Sequence, residues 1–335
     1  MSILNPLKAA LAISGMLMLP QAASAQDFPE RPIDVSVWAS AGGGTDTTNR
    51  FLAEAMQKHL GGKLNVSNRT GGGGGIAMNY VWNQPHDGYT WLGASEAMQV
   101  VKVLGYHETG TPDWRWYMVA GAPGVISVHP DSEFQTVDDL IAAAQENPGS
   151  VRVGHCAIGC VWHMRAIALG QAADVELNYI PFDGSSPAHM AGLTKEVDAV
   201  VSGIAEQTEF LKAGKLRALG MIEMEPFDFP GLGEIPAAGV KYPRIQEIPA
   251  VQWLGMAIPA DTPEDVTAKI DEAFERAMAD PKIKALAEER MFTLYGQYGE
   301  EAEERLQAME NAMSWKLYEM GVATTSPETV GISKP

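Results

Sequence analysis

Four residues with reactive or metal-binding side chains fall within nine positions: His155, Cys156, Cys160 and His163, in the run His-Cys-Ala-Ile-Gly-Cys-Val-Trp-His. Cysteine and histidine are zinc ligands, and a Cys–His pair can also generate a thiolate nucleophile. The residue types suit zinc, but two pairs packed this closely lack the usual spread between ligand pairs. A nucleophile would need a third group to orient the histidine, and none is identifiable. In an oxidising compartment, two cysteines four apart read as a local disulfide or as buried thiols. A regular helix would strain such a bridge, so bridging requires the helix to begin at Gly159. Under each alternative this helix start should face a cleft, with N–H groups near Ile158, Gly159 and Cys160 as anion donors.

Anion chemistry of another kind is written into Ile33–Asp46. Ile33, Val35 and Val37 alternate with Asp34 and Ser36, the period of a strand with unlike faces. Gly42-Gly43-Gly44 follows, where missing side chains let the backbone turn sharply and approach a ligand. Thr45 or Asp46 is expected to cap a helix whose stripe is Thr48, Phe51, Leu52, Ala55 and Met56, closed by Gly61-Gly62. A strand, a glycine turn and a helix start make an anion site, because unpaired N–H groups and the dipole's positive end converge. The expected anion is a carboxylate. Neither this turn nor Gly71–Gly75 carries the Lys-Ser/Thr that completes a phosphate loop, and the uniform glycine run does not match a dinucleotide fingerprint.

The charge balance sharpens the problem. The formal net charge is −18, with 24 Lys and Arg against 42 Asp and Glu. Such a chain repels nucleic acid and anionic lipid and has no basic tract, so neither is expected as a partner. An anionic ligand would have to be held by local N–H donors. The first 25 residues read as a cleaved signal peptide: Lys8, an apolar run over Ala9–Leu19, then Ala23-Ser24-Ala25. The mature chain is expected to start near Gln26, exported, soluble and not inserted in a membrane.

These sites must be positioned by an alternating chain. Leu64–Val66 reads as a second strand, Gly71–Gly75 as a glycine loop, Ile76–Asn83 as a helix, and Tyr89–Leu92 as a third strand ending at Gly93-Ala94-Ser95. Ligands of such βαβ series gather at the carboxyl ends of the strands. Thr136-Val-Asp-Asp139 matches a capping box opening a helix to Glu146. A second series follows: strand 151–154, helix 159–170, strand 175–180, a helix from Ser186 with serine at the cap and Pro187 just inside, strand 197–201 and strand 216–221. Residues 225–249 are rich in proline and glycine without a period and read as an irregular connection. Val251–Ile258 is a strand, Pro263 starts a helix with the stripe Val266, Ile270, Ala273, Phe274, Ala277 and Met278, and a long helix runs over about 300–320. The expected fold is α/β with two lobes, each a mainly parallel sheet flanked by helices. Residues 26–124 with 252–335 form one lobe and 125–251 the other, with cleft and hinge between.

The ordered set Pro32–Asp46, Asn68-Arg69 with its glycines, Asp87-Gly88-Tyr89-Thr90, Gly184-Ser185-Ser186-Pro187-Ala188, Val197-Asp198, Ala213–Leu219 and Pro259–Pro263 resembles the Bug/TctC family. These are periplasmic solute-binding subunits of tripartite tricarboxylate transporters. The resemblance implies a Venus-flytrap (type II) receptor, here expected as a monomer, that closes on a small organic acid and delivers it to separate small and large membrane subunits. It implies no cofactor, no metal and no catalysis.

Departures from the family pattern bear on the ligand. Trp38-Ala39 replaces the usual Pro-Phe or Pro-Tyr, and Ser202 stands where an amine-binding Asp is often found, which disfavours an amino acid. Phe182-Asp183 replaces Tyr-Lys, removing a cation. The expected ligand is a di-acid or aromatic acid. Its expected contacts are Trp38, Ser40, Gly42, Gly43, Thr45 and Asp46 from the first turn, with Gly74 and Ser95 beside them. Opposite stand Cys156, Ile158, Gly159, Cys160 and His163, then Phe182, Asp183 and Ser202. The alternatives are a periplasmic metal- or thiol-dependent hydrolase built on the Cys/His cluster, or a sensor reporting to a membrane kinase.

Overall fold

β1 (Ile33–Val37) is buried at four of its five positions, Ser36 included. The structure, a computed structural model, describes residues 28–248 and 250–335, so the leader and its cleavage site lie outside the described residues. β1 pairs in parallel with β2 (Leu64–Asn68) on one side and β3 (Thr90–Ser95) on the other. Only Asp34 of this strand is exposed, and Ser36 is covered, so the Asp34/Ser36 alternation does not produce two unlike faces.

After the glycine turn comes α1 (Gly44–Leu60), capped at its C-terminus by Gly61 in the left-handed conformation. The glycine run at 71–75 is a short 3-10 turn leading into α2 (Gly75–Trp82). β4 (Trp114–Gly121) joins the same sheet, and Ala122-Pro123 carries the chain into β5 (Gly124–Val128). α3 (Val137–Glu146) opens with the expected box: Thr136 accepts from the Asp139 N–H, and the Asp139 carboxylate accepts from that of Thr136.

The second series is β6 (Arg152–His155), α4 (Val161–Ala172), β7 (Asn178–Pro181), α5 (Ser185–Leu193), β8 (Ala199–Gly203), α6 (Ile204–Lys212) and β9 (Arg217–Met221). Residues 225–249 are not wholly irregular: β10 (Phe227–Phe229) and β11 (Gly233–Ile235) form a small hairpin. The chain returns as β12 (Leu254–Pro259), then α7 (Glu264–Met278), α8 (Pro281–Arg290), β13 (Thr293–Tyr298) and α9 (Gly299–Glu319). Pro263 is the N-cap of α7 rather than its first helical residue.

Among the described residues the large sheets have the orders β13-β4-β12-β3-β1-β2 and β7-β6-β8-β5-β9. Each is parallel where the βα units run, at β2-β1-β3 and β7-β6-β8, and antiparallel at the strands that carry the chain between sheets. The fold is therefore α/β with two lobes and mixed sheets. A strand that leaves one sheet for the other turns back without a crossover helix, so it pairs antiparallel. One hydrophobic cluster runs through both, with Trp38 and Met98 from the first packing in the same core as Cys160, Val161 and Trp162 from the second. The two halves are thus in contact.

Candidate functional site

The carboxyl ends of β1 and β3 face the starts of α4, α5 and α6 across this contact. The turn after β1 is held by its own side chains. Asp46 Oδ2 accepts from the Gly42 N–H at 2.9 Å, and its carboxylate also takes Arg50 Nε at 3.0 Å and Asn68 Nδ2 at 2.8 Å. Burial pushes this carboxyl up, but those three hydrogen bonds outweigh it and hold Asp46 below the ordinary carboxylate value. The cap of α1 is Gly43, not Thr45 or Asp46. With its carboxylate consumed by the turn, Asp46 is a brace for the site.

Opposite, the cap of α5 is Gly184, not a serine. Its φ of +115° belongs to glycine, and a Cβ there would lie 2.8 Å from Ser40 Oγ. The Ser40 N–H donates to the Asp183 carbonyl at 3.0 Å, tying the two turns. A Cβ on Gly43 would sit 3.8 Å from Ser186 N and 3.9 Å from Ser185 N. The starts of α1 and α5 therefore point at each other. Pro187 has no N–H, and among the described residues no acceptor takes those of Ser185 and Ser186.

Two carboxylates that the sequence did not single out fill the other helix starts. Glu206 Oε1 accepts from the Gly44 N–H at 3.0 Å, the first turn of α1. Its Oε2 accepts from Gly203 N (2.9 Å), Trp162 Nε1 (2.9 Å) and Gln252 Nε2 (3.2 Å). Four donors satisfy this one group. Glu96, 3% exposed just past β3, accepts from the Val161 N–H at 3.4 Å and so closes the start of α4 from the opposite lobe. Burial pushes the Glu96 carboxyl up to about 8, against the pull of the hydrogen bonds it accepts, and the nearby charge of Glu206 adds to the rise. The signal for Glu206 was present: a glycine cap followed three residues later by glutamate is the capping-box spacing. Nothing local marks Glu96.

The remaining expected contacts divide. Trp38 is buried, its indole donating to Ser95 Oγ at 3.1 Å, and Gly74 packs on Trp38 and Met98. Cys156 and Cys160 form a disulfide, and α4 begins at Val161 with Cys160 as its cap, not at Gly159. The Gly159 and Cys160 N–H groups are consumed locally, by His163 Nδ1 and the Ala157 carbonyl at 3.0 Å each. They are not free anion donors. Ser202 is inside its own lobe, its Oγ accepting from Gln207 Nε2 at 3.0 Å and lying 2.7 Å from His189 Nε2.

Ile158, Phe182 and Asp183 line a cavity of about 530 Å³ at the mouth of the cleft, facing Gly72, Gly73 and Tyr106 of the other lobe. A second cavity, of about 520 Å³, opens on the β7 edge beside His155, His163 and Tyr179. There the two imidazoles stack at 4.4 Å, held neutral by burial, with His155 pushed down to about 3 and His163 to about 4. Stacked rings present their nitrogens side by side rather than converging. Among the described residues no group of three or more His, Cys, Asp or Glu could hold a metal ion. The bridged cysteines offer neither a thiolate nucleophile nor a thiolate ligand, so the cluster does not support the hydrolase alternative.

Residues 48–313 match the model of the tripartite tricarboxylate transporter family receptor, TctC. The chain belongs to this family. A UPF0065 protein in the tcbD-tcbE intergenic region of Pseudomonas sp. (strain P51) is 31% identical over 76% of each chain. The periplasmic binding protein BugD shares 25% identity, with a TM-score of 0.80 over 88% of this chain and 99% of its own. MatC from Rhodopseudomonas palustris, solved with bound malate, has the same fold at 23% identity, a TM-score of 0.75 and coverage of 86% and 99%. TctC proteins are solute-binding receptors rather than enzymes. None of the described helices in this TctC chain is long and apolar enough to cross a membrane.

Proposed function

We propose that this receptor works in the periplasm, as a monomer, where it captures a small di-acid or aromatic acid between its lobes. It then presents the acid to the small and large membrane subunits of a tripartite transporter. The lobes are residues 26–124 with 252–335 and residues 125–251, and the hinge lies in the two chain crossings. The observation that carries this is the meeting of α1 and α5, whose facing starts leave the Ser185 and Ser186 N–H groups without acceptors. A carboxylate placed there accepts from backbone dipoles and needs no cationic side chain. Two acids at the lobe contact do not oppose it, because Glu206 is matched by four donors and Glu96 is neutral below pH 8. Malate in the related fold of MatC supports the same ligand class. Closure around the acid would be a hinge motion, with the closed form docking on the membrane subunits.

The test is a thermal-shift and calorimetric panel of succinate, malate, adipate, citrate and benzoate, with putrescine as control. A carboxylate at a hundred times its Kd should stabilise the protein by about 2.7 kcal/mol. No response to any acid, together with a response to the amine, would overturn the proposal.

A further inference from the structure

Glu96, buried at the contact between the lobes, is a carboxyl whose hydrogen bonding is incomplete. Its Oε1 takes the Val161 N–H, while Oε2 is buried with no partner. It stands just past the carboxyl end of β3, where ligands of such sheets gather, and reaches across the lobe contact to the start of α4. The groups facing it are the Glu206 carboxylate from α6, the Tyr295 phenol from β13 and backbone donors at Val161 and Trp253. Among the described residues no basic side chain is paired with it. A buried carboxyl beside another acid and without a cation keeps its proton. With Oε1 occupied by the Val161 N–H, that proton belongs on Oε2, where among the described residues no acceptor takes it. Such an orphan is expected where a ligand completes the set.

We propose that Glu96 is a solute-contacting residue: its protonated carboxyl group donates Oε2–H to a carboxylate oxygen of the bound acid. This rests on the carboxylate assignment above and adds a proton to it. The donor exists only while Glu96 is protonated, so binding holds the proton in place. Burial already keeps Glu96 neutral to about pH 8 in the free protein. Below that pH affinity is therefore flat. Above it affinity falls by about tenfold per pH unit, and each acid that binds takes up one proton. Burial is the main cause of that protonation, and the nearby Glu206 charge adds to it.

The experiment is titration calorimetry with malate, succinate and adipate from pH 6.5 to 9.5, in buffers of different ionisation enthalpy so that proton uptake is read directly. Expected are a flat limb, a tenfold loss per unit above pH 8, and uptake approaching one proton. Glu96→Gln, which keeps an N–H donor but cannot ionise, should lose the alkaline fall in affinity and the proton uptake. Glu206→Gln should move the midpoint to lower pH, which a purely structural role would not do. Equal affinity at pH 6.5 and 9.5 without proton uptake would overturn the role of Glu96 while leaving the carboxylate assignment intact. So would affinity that rises through pH 8, since Glu96 would then act as an anion toward a donor on the solute. Failure of all three acids to bind at any pH would remove the carboxylate assignment, and this inference with it. Should Glu96→Gln fail to fold, the wild-type profile and proton count decide.

Discussion

The Gly44 N–H donates to Glu206 Oε1 at 3.0 Å, joining the first turn of one lobe's helix to the side chain that caps a helix in the other. The same carboxylate holds the Trp162 indole and the Gln252 amide, so one group fastens both lobes and the returning crossing. Removing it leaves several buried donors unpaired at once, at about 1–3 kcal/mol each before the site relaxes. Glu206→Ala should lower urea stability by at least that much and enlarge the ligand-free radius of gyration in solution scattering. Glu206→Gln, which keeps one acceptor oxygen, should fall between. An unchanged radius in Glu206→Ala would show that this contact does not hold the lobes together.

Gly184 tests the other half of the lobe contact. A side chain there meets both a φ of +115° and the Ser40 backbone N at 3.2 Å. Gly184→Ala should lower stability by about 1–3 kcal/mol and weaken malate or adipate binding at least tenfold, because the strain falls where the two turns must meet. Gly214→Ala is the control, since its φ is +64° but nothing lies within 4 Å. It should lose about 1 kcal/mol of stability and keep its affinity. Calorimetry beside urea melts checks both, and equal binding losses in the two variants would defeat the assignment.

What could be read in advance was what is local. Thr136 and Asp139 announce α3 because a capping box is complete within four residues. Gly61 announces the end of α1 because a left-handed cap favours glycine. The family motifs placed the turns at 42–44 and 184–186, and these are the turns that meet. Long-range chemistry was hidden. Glu96 looks like an ordinary surface acid until a partner 65 residues away is known, and the capping spacing of Glu206 does not show its partner 162 residues away. Ser202 was expected in the cleft from its position in the family pattern, but its partners His189 and Gln207 are fixed by packing inside its own lobe. α8 and β13 escaped because α8 buries only Ile283 and Ala287 and β13 is half-exposed, so neither has a clear apolar period.

The Cys156–Cys160 bridge shapes the loop that carries Ile158 to the cleft mouth. So short a loop gains little from cross-linking: the chain-entropy relation gives about 2 kcal/mol. Reduction, or the double variant Cys156→Ala with Cys160→Ala, should lower Tm by several degrees and leave a folded protein. Affinity for the acid should weaken more than stability does, because Ile158 loses its fixed position. Loss of folding on reduction would assign the bridge a structural role beyond this loop.

Stability should pass through a maximum near pH 6.5, set by two opposed kinds of buried group. His155, His163 and His189 are pushed down by burial to about 3, 4 and 4 from an ordinary 6.5. Each stays neutral in the fold while the unfolded chain binds a proton below 6.5. Their contribution is complete above pH 6.5 and is lost as pH falls toward 4, at about 1.4 kcal/mol per pH unit for each group. Glu96 runs the other way: raised from 4.5 to about 8, its contribution is complete below pH 4.5 and is lost as pH rises through 8. His107 is lowered and Glu310 raised by burial in the same two senses; on the acid side the histidines outweigh the carboxyls, and above 6.5 the raised carboxyls set the slope. Urea unfolding from pH 4.5 to 8.5 should trace both limbs. His189→Gln should make the acid limb shallower by about one proton, and Glu96→Gln should flatten the alkaline one. A stability that climbed steadily to pH 8 would mean Glu96 is ionised in the fold, since a carboxyl that keeps its proton when buried must lose ground to the unfolded chain as alkali is added.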